Sequence, residues 1–500
     1  MATLSQSWLS ALACSLTLAV SGIATGAQSV KAFTFVNSLS IPGNATDLAP
    51  APAGNSVNTN RLGGFGSDLY YDRANNVFYG LVDRGPGGGT IPYNTRVEKF
   101  TVDIDFNSGS ISNFKLLSTI LLTDQNGKNF DGYDPLLLNG AASVLGRSLD
   151  PEGFAVAPNG NFYVSDEYGP SVKEFTPAGK LVREFETPAN ILPKDAQGNP
   201  VFSGGSSVTV ATGRQANRGY EGLAITPDGS KLIAVLQDPL TQEGTPNGRS
   251  SRNVRLVVFD AATGKSTAQY VYPLETVAEI NERIPGTKDD FATTAQGRNI
   301  GVSSIVALND HEFIVLERDN RGIGVDDPTG KNPVGSKRTF KIDITGATDV
   351  SNISLTGSNN AIAGVKPVGK SLYFDIQALL AAAGQTIPEK LEGFAVGPKL
   401  ANGSYSVLVA TDNDFSVTQN AAGLQSDVCT NGANVALDAP CPAGSSLLPS
   451  YLYAFTATAA ELGNYVAPTS NAAVPEPTTM TGMALAGLGS LWLKRRKKSR

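Results

Sequence analysis

A hairpin bracketed by acids, DPEGFAVAPNGNFYVSDEYGP at residues 150–170, returns with variations along this chain, and any fold has to accommodate that repetition. Its opening comes back as EGLAI at Glu221 and as EGFAV at Glu392. Five copies start at Gly63, Glu152, Glu221, Gly301 and Glu392, between 69 and 91 residues apart. Each has a short apolar strand, a turn rich in Gly, Asn or Asp, and a second strand that ends in acids. A further hairpin follows, such as VKEFTPAGKLVREFE in the second copy, VRLVVFDAATGKSTAQYVYPL in the third and RTFKIDITGATDVSNISL in the fourth. Period-2 alternation dominates, and QALLAAAG at residues 377–384 is the clearest helical run. Four strands per repeat predict an all-β chain, a β-propeller of five or six four-stranded blades with long decorated loops. A tandem of β-sandwiches leaves the repeated acidic bracket unexplained. The strand FTFVNSLSI, from Phe33, is expected to pair with the last blade and close the ring. The stretch around SLYFDIQ within residues 351–389 leaves room for an extra blade.

In an antiparallel hairpin the start of the first strand and the end of the second lie at the same end. Glu152 therefore belongs beside Asp166 and Glu167, Glu221 beside Asp238, and Glu392 beside Asp412 and Asp414. Asp83 closes the first copy, and Glu317 with Asp319 closes the fourth. On the inner strands of blades these carboxylates ring the axis on one face. Like charges so gathered raise one another's pKa and destabilise the fold, so they call for arginines, a divalent cation, or both. Arg84, Arg218, Arg318 and Arg321 lie beside the same positions. Ca²⁺ is the natural cation, because it takes about six to eight oxygens from carboxylates, amides and water. The expected metal ligands are Asp83, Glu152, Asp166, Glu221, Asp238, Glu317, Asp319, Glu392, Asp412 and Asp414. In the competing reading each Glu caps its own blade by accepting backbone N–H groups.

The run ALACSLTLAVSGIA followed by VKA reads as an export signal over residues 1–32, cleaved before Phe33. At the other end VPEP at 474–477 precedes an apolar stretch from about 480 to 493 and the basic KRRKKSR. That stretch is short for a spanning helix, and the basic tail suits a stop-transfer segment. The arrangement resembles the PEP-CTERM sorting signal of exopolysaccharide-producing Gram-negative bacteria and cyanobacteria. The resemblance implies an exported protein of the cell envelope, outer surface or extracellular matrix, with a sorting and processing machinery as partner. It also implies membrane contact only through the tail, before processing. The domains expected are a signal peptide at 1–32, the propeller at 33–457, a linker at 458–473 and the sorting segment at 474–500. Without its ends the chain keeps 32 of its 39 Lys/Arg and 44 of its 45 acids, a net charge of −12. Such a surface disfavours nucleic acid and suits cations. Cys14 falls in the signal, and Cys429 and Cys441, in a Gly/Asn/Pro-rich loop, are expected to form a disulfide.

Several chemistries fail on residue supply. The one histidine, His311, sits in the turn NDHEF, and no G-x-S-x-G elbow exists, so a Ser-His-Asp hydrolase has no base. Histidine-rich zinc sites and histidine phosphatase chemistry fail for the same shortage. DRGPGGGT after Asp83 lacks the Lys-Ser/Thr of a P-loop and reads as a loop. TDQNGKNFDGYD offers Asp124, Asn126, Asp131 and Asp134 as a minor cation site.

The elements DPEG-F-A and YEGLA-TPDG, the strand ends SDEYGP and LERD, and EGFAV with TDND together resemble the phytase-like, "esterase-like activity of phytase" domain over roughly residues 60–457. That family's pattern is broken by Gly64 and Gly301, which stand where other copies carry Glu. The resemblance implies an exported hydrolase acting on ester bonds, phosphoric esters ahead of carboxylic ones. The substrate would be a small-molecule or polysaccharide-linked ester. Metal-assisted hydrolysis is the mechanism that survives, with Glu152, Asp166, Glu167 and Glu221 as cation ligands or water base and Arg84, Arg218 and Arg318 as anion clamps. A carboxylester or lactone hydrolase, or a non-enzymatic module binding polysaccharide or ions, are the alternatives.

Overall fold

The alternating runs fold as antiparallel sheets, and the computed structural model describes them over residues 33–50, 60–135, 147–205, 209–420 and 423–469. After an opening strand β1 (Thr34–Ile41), the first repeat forms β2 (Asp68–Asp72), β3 (Val77–Leu81), β4 (Arg96–Ile104) and β5 (Ile111–Leu121). The second forms β6 (Pro151–Val156), β7 (Phe162–Asp166), β8 (Ser171–Phe175) and β9 (Leu181–Glu184). The third forms β10 (Tyr220–Ile225), β11 (Lys231–Leu236), β12 (Asn253–Asp260) and β13 (Ser266–Pro273). The fourth forms β14 (Ile300–Ala307), β15 (Glu312–Asp319), β16 (Lys337–Asp343) and β17 (Gly369–Asp375). The fifth holds β18 (Lys390–Lys399) and β19 (Tyr405–Asp412), then a small sheet of β20 (Val417–Gln419), β21 (Gln425–Val428) and β22 (Asn434–Val435), and finally β23 (Ser450–Ala457).

Five four-stranded sheets result, each in simple sequence order except the fifth, which runs β18-β19-β23-β1. The inner strands β2, β6, β10, β14 and β18 adjoin one another in turn around a common axis, the arrangement of a propeller. β1 pairs antiparallel with β23, Leu39 opposite Leu452, so the two ends of the folded chain share one sheet as the sequence suggests. SLYFDIQ supplies β17, the outer strand of the fourth sheet, instead of a further blade, and the expected partner DVSNISL lies in the loop before it. Residues 458–469, part of the expected linker, are packed: Leu462 of the helix Ala459–Leu462 is buried, and Val466 N donates to Leu308 O at 2.7 Å. Cys429 and Cys441 are joined in a disulfide. No helix among the described residues is long and apolar enough to cross a membrane. Residues 1–32 and the apolar stretch 480–493 lie outside the described residues.

Two details of the inner strands position everything above them. First, the register slips at the same point in four of them: between Pro151 and Phe154, Tyr220 and Gly222, Val302 and Ser304, and Leu391 and Phe394. Glu152, Glu221, Ser303 and Glu392 sit in these β-bulges, which re-aim a side chain out of the strand's ordinary alternation. Ser303, not Gly301, is thus the fourth repeat's counterpart of the repeated Glu. Second, the glycine after each Glu lies where strands nearly touch. A Cβ on Gly153 would lie 2.5 Å from Leu223 N, and one on Gly222 2.9 Å from Ile305 N. The EG pair therefore encodes a bulge above a close approach.

Candidate active site

Nine carboxylates gather at one mouth of the axis among the described residues. The bulges bring Glu152, Glu221 and Glu392, the ends of the second strands bring Asp83, Glu167, Asp238, Asp412 and Asp414, and Asp150 enters just ahead of β6. Four cations are set among them. Arg84 donates from Nη1 to Asp150 Oδ2 at 2.8 Å and lies 4.0 Å from Glu167 Oε2. Arg218 Nε stands 2.7 Å from Asp238 Oδ2. Arg318 pairs with Glu392 Oε1 and donates from Nε to Ser303 Oγ at 2.8 Å. Lys390 Nζ bridges Asp412 Oδ2 and Asp414 Oδ1, each at 2.7 Å.

This pairing is incomplete. Glu167 Oε2, Glu221 Oε2 and Glu392 Oε2 are buried without a hydrogen-bond donor among the described residues. Burial, then the charges of Glu221 and Asp150, hold the Glu152 carboxyl well above the usual range. Burial, Glu167 and Glu392 do the same to Glu221, and burial raises Asp83 against Lys390's opposition. Burial likewise pushes Asp150 up to about 7 and Asp238 up to about 6, although Arg84 and Arg218 oppose it. Bare buried carboxylate oxygens that raise one another's proton affinity are what a cation relieves. The donor set fits a hard, oxygen-loving cation such as Ca²⁺. One oxygen from each of Asp83, Asp412 and Asp414 lies within 4.8 Å of the others, and the same holds for Asp83, Asp150 and Glu152.

Three expected ligands turn elsewhere. Asp166 accepts the Asp150 and Tyr168 N–H groups, each at 3.1 Å, and pairs with Lys173 at 3.2 Å, so it caps its own hairpin. Successive residues of β15 face opposite sides of the sheet. Arg318 therefore reaches Glu392 of the fifth sheet, while Glu317 turns to the third sheet and takes the Tyr272 hydroxyl at 2.5 Å and Lys370. Asp319 is saturated by Lys337 Nζ at 2.8 Å and the N–H groups of Gly335, Ser336 and Arg321. Arg321 lies over the Phe291 ring, its guanidinium carbon 3.8 Å from the centroid. The minor cation site does not form: Asp124 caps Asn126 and Lys128 N–H groups, and Asp134 takes Ser203 Oγ and the Gly204 N–H. His311 lies at the other end of its hairpin, 3.1 Å from Asp343.

Sequence reasoning missed Lys390 and left Asp150 out of the site, although Lys390 stands only two residues before Glu392. It also missed Asp68. This residue occupies the place of the EG glycine in the first repeat and fills the axis beneath the acids. Asp68 Oδ2 accepts the Phe154 N–H at 2.8 Å, and Oδ1 accepts the Ser304 hydroxyl at 3.2 Å. Aligning SDLYY with EGFAV, one residue per place, would have found it.

Fold and site together define a propeller protein with an acidic axial mouth braced by arginines. The chain belongs to the Phytase-like family, described as "Esterase-like activity of phytase", whose model matches residues 60–415. Residues 473–498 match the PEP-CTERM protein-sorting motif. A relative from Arthroderma benhamiae, named only "Uncharacterized secreted protein", is 29% identical over 313 residues, covering 52% of this chain. This chain spans 59% of that relative's length. Among solved structures, the hydrazine synthase of Kuenenia stuttgartiensis aligns over 73% of this chain and 80% of its own, with 12% identity and a TM-score of 0.28. The propeller of Dos1 aligns over 78% of this chain and 68% of its own, with 8% identity and a TM-score of 0.25. Scores this low carry no argument, and the fold stands on its strand topology.

Proposed function

We propose that the chain is an exported hydrolase of phosphoesters working at the axial mouth with a bound divalent cation, Ca²⁺ first. The observation that carries this reading is the cluster of buried carboxylates with bare oxygens, on Glu167, Glu221, Asp238 and Glu392, beside arginines already held in place. Asp83 with Asp412 and Asp414, or Asp83 with Asp150 and Glu152, would hold the cation. When bound, it supplies a Lewis acid that polarises a phosphoryl oxygen. Glu221 is suited to take the proton of an attacking water, because Gln237 Nε2 fixes its Oε1 at 2.6 Å and leaves Oε2 bare. Arg84 and Arg318, oriented by Asp150 and Glu392, present positive charge to the developing anion without reorganising. Export through the N-terminal segment and release from the C-terminal sorting segment complete the reading. Mass spectrometry of native protein is expected to find peptides starting at Phe33 and none beyond about residue 474.

The test is hydrolysis of p-nitrophenyl phosphate, phytate and p-nitrophenyl acetate, each with Ca²⁺ and with chelator. Chelator-sensitive release of phosphate is expected, and Glu221→Gln should lower it by about 10²–10³ with the fold intact. Turnover of the acetate alone would move the reading to a carboxylester hydrolase. Inactivity on all three, with Ca²⁺ still raising the melting temperature, would make the mouth a binding site.

A further inference from the structure

Beside the acidic mouth lies a second, basic cavity of about 270 Å³, lined by Gly204, Gln215, Thr241, Gly248, Arg249 and Arg298 among others. It is close to the lower end of small-molecule pockets, roughly 300 Å³. Arg298 stands on the turn just before β14, and Arg249 on the turn Gly248–Ser250. The charged groups that Arg298 feels are Arg218 first, then Asp238, Arg249 and Glu167. The Arg218 charge and burial bring the Arg298 guanidinium down to about 10. Asp238, the anion whose charge acts most on Arg298, is paired with Arg218, its Oδ2 2.7 Å from Arg218 Nε. Neither Arg249 nor Arg298 has an ion pair or a side-chain hydrogen bond among the described residues. Two guanidinium groups are thus kept together without their own anions, against a repulsion that a bound anion would reverse.

The walls suit such a ligand. Gln215 Nε2 ties the cavity's sides by donating to Pro239 O at 2.8 Å and Gly297 O at 3.1 Å. Thr241 Oγ1 is buried without a partner and can donate to an anionic oxygen. The bare acceptor, Gln215 Oε1, suits a ligand hydroxyl. The cavity also adjoins the mouth. Gly204 lines it, and a Cβ there would stand 3.2 Å from Arg84 Nη1.

We infer that this cavity is an anion subsite that takes a tetrahedral dianion, a phosphate group of a substrate whose neighbouring ester lies at the axial mouth. Guanidinium forks match such oxygens in shape as well as charge. The inference rests on the hydrolase reading for its role in catalysis, but its ligand chemistry can be tested apart from turnover.

Calorimetric titration of the full-length protein with inorganic phosphate, in chelator, reads the subsite directly. Binding to the unaltered protein is expected to weaken at least tenfold in Arg298→Gln and in Arg249→Gln. Arg249 is exposed, so its replacement tests the site even if Arg298→Gln fails to fold. Sulfate should compete with phosphate, and acetate at the same concentration should not. Phosphate binding that is indifferent to both arginines, or equal competition by acetate, overturns the subsite. Absence of hydrolysis with arginine-dependent phosphate binding would sink the hydrolase reading and leave the subsite standing. Where hydrolysis is found, Arg298→Gln should lower kcat/KM for phytate at least tenfold more than for p-nitrophenyl phosphate. Equal losses on both substrates would overturn the assignment of a second phosphate.

Discussion

Glu98 on β4 is a buried carboxyl well removed in role from the axial mouth. Thr119 Oγ1 donates to its Oε2 at 2.6 Å, and its Oε1 has no partner among the described residues. Burial, helped by the charge of Asp47 and opposed by Thr119 and Arg96, pushes it up to about 8. A carboxyl raised in the folded state binds its proton more tightly there than in the unfolded chain. Its contribution to stability is full below about 4.5 and is lost as pH rises through about 8. Glu98→Gln should remove that loss. The variant's melting temperature should fall less than the parent's between pH 5 and pH 8, by the equivalent of about 1.4 kcal/mol per pH unit at most. Parallel melting curves across this range would refute the assignment. Nothing in the sequence marks Glu98, since VEKF reads as an ordinary half-exposed strand. Its burial comes from the neighbouring Arg96–Asp47 pair, closed at 2.5 Å between segments far apart in the chain.

Elements, by contrast, were largely written in the local pattern, and the exceptions have physical causes. Short turns join the two outer strands in each of the first three repeats, so alternation and turn residues sufficed to find them. The outer strand of the fourth repeat begins at Gly369, long after β16 ends at Asp343, and no local rule links strands across such an insertion. Which carboxylates reach the axis depended on parity and bulges: Glu392 sits in a bulge, whereas Glu317 follows plain alternation and faces the third sheet. Register slips of one residue leave no compositional trace, so the Glu-Gly pair was the only visible sign. Asp68 shows how the inner strands are bonded where they converge, since it joins β2 to β6 and β14. Asp68→Ala should leave the Phe154 N–H and the Ser304 hydroxyl without an acceptor on the axis, costing about 2–4 kcal/mol. Asp68→Asn, which keeps an acceptor and suits a site where burial favours the neutral form, should cost less. Urea midpoints would decide this, and equal losses for Ala and Asn would mean that volume rather than hydrogen bonding matters there.

At the scale of the whole molecule, the ring is closed by the strand that comes first in the described chain. β1 completes the fifth sheet only after β23 is in place, because the two pair along their length from Thr34 opposite Thr456 to Ile41 opposite Ser450. This contact joins the most distant parts of the fold, and without it β23 would present an unpaired edge. Phe33, just ahead of β1, fastens the closure to the neighbouring repeat. Its ring stacks on Phe374 at 4.0 Å between centroids and meets Tyr373 edge-on at 5.1 Å, both on the fourth sheet's outer strand. The expected cleavage before Phe33 would leave this aromatic as the first residue, so processing and closure meet at one position. Phe33→Ala should remove a buried ring and cost about 3–5 kcal/mol. Because the acidic mouth is built on the inner strands and β1 lies at the outer edge of its sheet, the turnover proposed for the mouth, measured well below the melting temperature, should persist. An unchanged denaturation midpoint would show that β1 pairing alone closes the ring. Loss of turnover in a still-folded variant would instead mean that the geometry of the axial mouth depends on how tightly the fourth and fifth sheets are drawn together.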